Sequence, residues 1–113
     1  MSMGDEQTDS FEVIERAEGD RAWITLRGEL DLATVDEVRD RLDALRGAGR
    51  PVVLDLDHLT FMDSTGIRLV LEAVRHAERD GWRFEVTQGS TPVRRIFASA
   101  RIDDRLPYAS EDG

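Results

Sequence analysis

Hydrophobic positions change period along the chain, and the changes mark out its elements. "FEVIERA" (11–17) and "RAWITLRG" (21–28) alternate as strands do. In the second, Ala22, Ile24 and Leu26 share one face, and Trp23, Thr25 and Arg27 share the other. "EGD" between them is a turn signal, so a hairpin is expected. "GELDLAT" breaks the alternation. Val35, Val38, Leu42 and Leu45 then recur at helical spacing, with Thr34 and Glu37 in a capping-box pattern and "GAGRP" as the stop.

"PVVLDLDHLTF" (51–61) reads as a buried strand, and its nearly continuous centre at 52–56 suits a position covered on both faces. His58, after Asp57, is expected in a loop. A second helix follows, with Ile67, Val70, Leu71, Val74 and Ala77 as its inward stripe and Gly81 as its end. "WRFEV" (82–86) alternates again, with Trp82, Phe84 and Val86 on one side. "TPVRRIFASA" reads as a short helix capped by Ser90 or Thr91, with Pro92 in its first turn and Val93, Ile96, Phe97 and Ala100 inward. "DDRLPYAS" is a candidate for a last short strand. The order β-β-α-β-α-β-α, with an optional final strand, predicts an α/β fold. The expected form is a mixed sheet of four to five strands, opening with a hairpin and packed against three to four helices. One domain is expected over residues 10–109, after a disordered acidic tail at 1–9 and before a frayed end at 110–113.

Composition narrows the function. With 113 residues there is room for one small core. The net charge of −9 argues against direct nucleic-acid binding and against anionic membrane surfaces, and favours a basic patch on a protein partner. The absence of cysteine excludes disulfides, thiolate metal sites and thiol nucleophiles, and fits a cytoplasmic protein. All 15 Lys+Arg residues are arginine, as a GC-rich bacterial genome would encode. No secretion signal or membrane-spanning run is visible. His58 and His76 are isolated, so no metal site is expected, and no phosphate-binding glycine loop occurs. No cofactor is implied.

The remaining feature is "FMDSTGIRL" (61–69), at the junction of the central strand and the second helix. An acid or hydroxyl there serves as a helix cap. Two adjacent hydroxyls exceed what one cap requires. Ser64 as a catalytic nucleophile lacks a base placed by any local pattern, and "DSTG" is not the GxSxG elbow. A kinase could reach a hydroxyl there, adding roughly −1.5 to −2 charges. The helix N-terminus tolerates such charge, whereas a partner surface packed on it does not.

"LDLDHLTFMDSTGIRLVL" and "RGELDLATVDEVRDRL" together resemble the two signature blocks of the STAS domain, specifically of bacterial anti-sigma factor antagonists. The resemblance covers about residues 11 to 108. It implies a protein that is not an enzyme. Such a protein binds an anti-sigma factor that is also a serine/threonine kinase, freeing a sigma factor for transcription. The kinase phosphorylates the antagonist in its D-S-[ST]-G motif, and a phosphatase resets it. Carried onto this sequence, the phosphoacceptor is Ser64 or Thr65, with Ser64 favoured because such kinases are chiefly known with serine acceptors. Partner contacts are implied for Glu29, Asp31, Asp63, Gly66, Ile67 and Arg68. Two other readings stand beside this one. One is a STAS scaffold, stressosome-like or a lipid-transport accessory module, without sigma-factor regulation. The other is an enzyme with Ser64 as nucleophile. One departure is specific to this chain. Where the family often has glycine two places after the motif glycine, Arg68 stands, four residues after Ser64.

Overall fold

A computed structural model describes residues 11–110. The expected tail at 1–9 and all of the expected frayed end except Ser110 lie outside the described residues. Seven elements follow in order: β1 (Glu12–Glu18), β2 (Arg21–Leu30), α1 (Val35–Gly47), β3 (Val52–Met62), α2 (Ser64–Asp80), β4 (Phe84–Val86) and α3 (Thr91–Ser99). The sheet runs β1-β2-β3-β4. The opening hairpin is antiparallel, and β2–β3 and β3–β4 are parallel. This is the mixed sheet the sequence predicts, with four strands and three helices. The candidate fifth strand shrinks to a single bridge between Val86 and Tyr108.

Alternation explains the core. Ala22, Ile24 and Leu26 of β2 lie beside Val52 and Leu54 of β3 and, one strand on, Phe84 and Val86 of β4, and all are buried. Residues from all three helices join them in one apolar cluster, including Val38, Leu69, Val70, Val93 and Phe97. The opposite sheet face is polar at its centre. Asp55 is buried there and accepts hydrogen bonds from Trp23 Nε1 (3.1 Å) and Thr25 Oγ1 (3.2 Å), so its carboxylate is satisfied rather than stranded.

Four sequence expectations need correction. His58 is not in a loop; it lies within β3, opposite Arg27. The register of β2 against β3 shifts between Thr25 and Arg27 and again between Gly28 and Glu29. Each shift places one extra residue on β3, so its buried positions fall three apart at Leu56, Leu59 and Met62. That spacing imitates a strand end. The Thr34–Glu37 capping box does not form, since Thr34 makes no side-chain cap bond to α1. The inward stripe of α2 is centred on Gly66, Leu69, Val70 and Ala73; Ile67, Leu71, Val74 and Ala77 pack against the core as expected, but half-buried on its flank. Ala100 is exposed at the end of α3. Gly81 ends α2 as expected, in the left-handed conformation (φ 72°) that glycine adopts without steric cost.

Two ion pairs tie α1 to α2, Arg39–Glu72 at 3.1 Å and Arg46–Asp80 at 3.2 Å. Both are at the surface and fix orientation more than stability.

Candidate functional site at the strand ends

β2 and β3 are parallel neighbours, so their carboxyl ends finish together. Glu29 lies opposite Phe61 and Leu30 opposite Met62. The amide of Asp63 donates to the Leu30 carbonyl at 3.2 Å. The turn Asp31–Thr34 and the turn Asp63–Gly66 therefore emerge side by side. Ligand and partner loops of α/β sheets cluster at such strand ends.

The second turn is built on Asp63. Its backbone is extended (φ −107°, ψ −168°), which points the carboxylate back at the first turn of α2. Oδ1 accepts from the amides of Thr65 (2.9 Å) and Gly66 (3.4 Å) and from the Thr65 hydroxyl. The Thr65 hydroxyl bond is the largest influence holding the Asp63 carboxyl below its ordinary pKa; partial burial opposes it, and the two amides add to the lowering. Gly66 faces inward and is buried. A Cβ there would stand 2.6 Å from Met62 Cγ and 3.1 Å from Leu30 Cδ2, so the glycine lets α2 begin hard against the ends of both strands.

The two hydroxyls are not equivalent. Thr65 is half-buried and its hydroxyl is bonded to Asp63. Ser64 is exposed, and its hydroxyl makes no hydrogen bond among the described residues. The adjacent acid holds one hydroxyl and leaves the other to solvent. A nucleophilic serine would need a base on its oxygen. His58 instead lies 3.9 Å from Asp55, and His76 Nδ1 lies 2.8 Å from Arg79.

The first turn is closed on itself. Asp31 Oδ1 accepts from the Ala33 amide at 3.0 Å, and the Asp31 carbonyl accepts the amides of Thr34 and Val35. The Thr34 hydroxyl accepts from the Asp31 amide (3.0 Å) and donates to the Glu29 carbonyl (2.9 Å). This network lifts Leu32 outward, where it is 75% exposed. Phe61, 44% exposed, lies two residues before Asp63. Leu32 and Phe61 are two of the three large apolar residues left exposed among the described residues, so the strand ends carry apolar surface as well as charge. Neither residue stands out in the sequence. Leu32 was legible only as an apolar side chain inside a turn signal, and Phe61 fell at the far end of a run read as buried.

Of the other residues expected at the site, Glu29 and Arg68 are exposed, while Asp31, Asp63 and Ile67 are half-buried. No helix among the described residues is long and apolar enough to cross a membrane.

Comparisons with known proteins agree with this architecture. The family described as "Mlab, STAS domain" matches residues 13–108. An anti-sigma F factor antagonist of Lysinibacillus sphaericus is 31% identical over 91 residues, covering 79% of this chain and 78% of that protein. The crystal structure of an anti-sigma factor antagonist from Mycobacterium paratuberculosis superposes with a TM-score of 0.79 at 20% identity, covering 93% of this chain and 91% of the other, a likeness of fold. The phosphorylated form of the Bacillus cell fate determinant SpoIIAA superposes with a TM-score of 0.67 at 27% identity, covering 91% and 94%.

Proposed function

The chain belongs to the STAS domain family of anti-sigma factor antagonists, and from that premise we propose that it is a phosphorylation-switched antagonist whose phosphoacceptor is Ser64. Unmodified, it binds an anti-sigma factor that is a serine/threonine kinase, and a sigma factor is released. The docking surface is the pair of turns at the ends of β2 and β3, with Glu29, Asp31, Asp63, Ile67 and Arg68 around the exposed Leu32 and Phe61. Gly66 contributes shape rather than contact, because it is buried.

The observation that carries this reading is the difference between the hydroxyls: Ser64 is exposed and unbonded, while Thr65 is committed to Asp63. In the transfer, Ser64 Oγ attacks the γ-phosphorus of ATP. The bond from that phosphorus to the β–γ bridging oxygen breaks, ADP leaves, and the serine proton passes to a base of the kinase. The product carries roughly −1.5 to −2 charges at the start of α2, where the cap geometry accommodates an anion. An apolar-rimmed interface closing over that charge would have to desolvate it, so the complex is expected to break while the domain stays folded. A phosphatase reverses the change. The setting proposed is the bacterial cytoplasm, and neither a cofactor nor direct nucleic-acid contact has a part in the mechanism.

The test is to compare binding of the unmodified domain and of the domain carrying phosphoserine at position 64 to the cognate kinase. At least a tenfold loss of affinity is expected, about 1.4 kcal/mol. Equal affinity of the two forms would contradict the proposal.

A further inference from the structure

We propose that Arg68 is the receptor, within this chain, for a phosphate on Ser64, so that modification occupies the guanidinium and leaves it no longer available to a partner. The inference rests on Ser64 being the modified residue. It concerns what the chain then does with the phosphate.

Three observations meet at Arg68. It is exposed, and in a chain of net charge −9 it makes no hydrogen bond or ion pair among the described residues. The acid one turn further along α2, Glu72, is its natural helical partner, but Glu72 is held from α1 by Arg39 at 3.1 Å. One turn in the other direction stands Ser64, also exposed and also unbonded. Arg68 thus has an acidic neighbour that is taken and a neutral one that becomes acidic on modification.

The geometry of a helix favours the second. Side chains on a helix lean toward its N-terminus, so Arg68 covers surface over the preceding turn, which is where Ser64 sits. Residues four apart bring their Cβ atoms within about 5–6 Å, and an anion N-terminal to a cation is the better order for such a pair. The guanidinium fork matches two phosphate oxygens at once, which an ammonium does not. Asp63 beside Ser64, and Asp31 and Glu29 on the neighbouring turn, oppose the added charge. A cation in reach offsets them.

For the switch this makes one event act twice. Before modification Arg68 is a free cation among acidic groups and is available to a carboxylate on the partner. Afterwards the same side chain is bound internally, so the partner meets a phosphate and also loses a basic contact.

The experiment needs no kinase. Phosphoserine is incorporated at position 64 during synthesis, and the second phosphate ionisation is followed by phosphorus NMR in the otherwise unaltered chain and in Arg68→Ala and Arg68→Lys. Arg68 is exposed, so both variants are expected to keep the fold, which circular dichroism checks. A bound guanidinium favours the dianion. The second acid dissociation constant is therefore expected to be about two- to threefold larger in the unaltered chain than in Arg68→Ala, with Arg68→Lys between them. The gap should narrow as salt rises. Superimposed titrations of the unaltered chain and Arg68→Ala would overturn the inference while leaving Ser64 as a kinase substrate untouched. Failure of a kinase to modify Ser64 would remove the premise without altering this titration.

Discussion

The two turns at the strand ends begin alike and finish differently. Each follows a parallel strand, each opens with an aspartate whose Oδ1 accepts a backbone amide two residues on, and each carries a threonine hydroxyl bonded to that aspartate, at its amide in the first turn and at its carboxylate in the second. In Asp31–Thr34 the hydroxyl also reaches the Glu29 carbonyl, and the outward residue is Leu32. In Asp63–Gly66 the outward residue is Ser64. The same local solution therefore displays an exposed apolar side chain in one place and an exposed, unbonded hydroxyl in the other. What differs between the turns is the identity of the residue that the hydrogen-bond network leaves over.

The tightest test of that comparison is packing. Gly66→Ala puts a Cβ against Met62 and Leu30, both fully buried, and is expected to cost about 1–3 kcal/mol in chemical denaturation. A neutral substitution would mean that α2 does not start where it is placed. Next come the caps. Asp63→Ala removes the acceptor of two amides and is expected to cost about 0.5–2 kcal/mol, whereas Asp63→Asn, which keeps a cap acceptor, should lose far less. The carboxyl is held below its ordinary value of 3.8. Its contribution is therefore fully present above that value and fades as pH falls through the lowered one. Asp63→Asn should remove this part of the acid loss, and an unchanged acid limb in the variant would count against the bond to Thr65.

Thr34→Val tests the first turn. It strips the hydroxyl from the Asp31 amide and the Glu29 carbonyl, and a loss of about 0.5–1.5 kcal/mol in thermal denaturation is expected. No loss would mean the turn is not held by that hydroxyl. The smallest effect belongs to phosphate on Ser64. The helix N-terminus and Arg68 favour it, Asp63 opposes it, and the net change in domain stability should lie within about 1 kcal/mol of zero. A much larger change would make the switch an unfolding event rather than a surface one.

The difference between the turns was only partly legible in the sequence. Hairpin, strand order and helix ends could be read because alternation, helical spacing and glycine stops agree locally. β3 was legible as a run to residue 61, but the burial pattern of its far half was not, because two register shifts convert alternation into a three-residue spacing, and this set His58 in an expected loop. The α2 stripe was read one position off because Gly66 and Ala73, which face inward, are too small to announce themselves beside Ile67 and Leu71. The candidate site was visible as "DSTG", and the family resemblance favoured Ser64, but the difference in hydrogen bonding between its two hydroxyls was not legible. A one-dimensional pattern gives Ser64 and Thr65 the same chemistry. In the structure the direction of the Asp63 carboxylate separates them, holding Thr65 and leaving Ser64 exposed.

That distinction is open to direct measurement. The chain and its Ser64→Ala and Thr65→Val variants are incubated with the cognate kinase and ATP, and the phosphate is mapped by mass spectrometry. One phosphate is expected on Ser64 in the unaltered chain, retained in Thr65→Val and absent in Ser64→Ala. Phosphate on Thr65 in the unaltered chain, or undiminished phosphorylation of Ser64→Ala, would contradict this expectation.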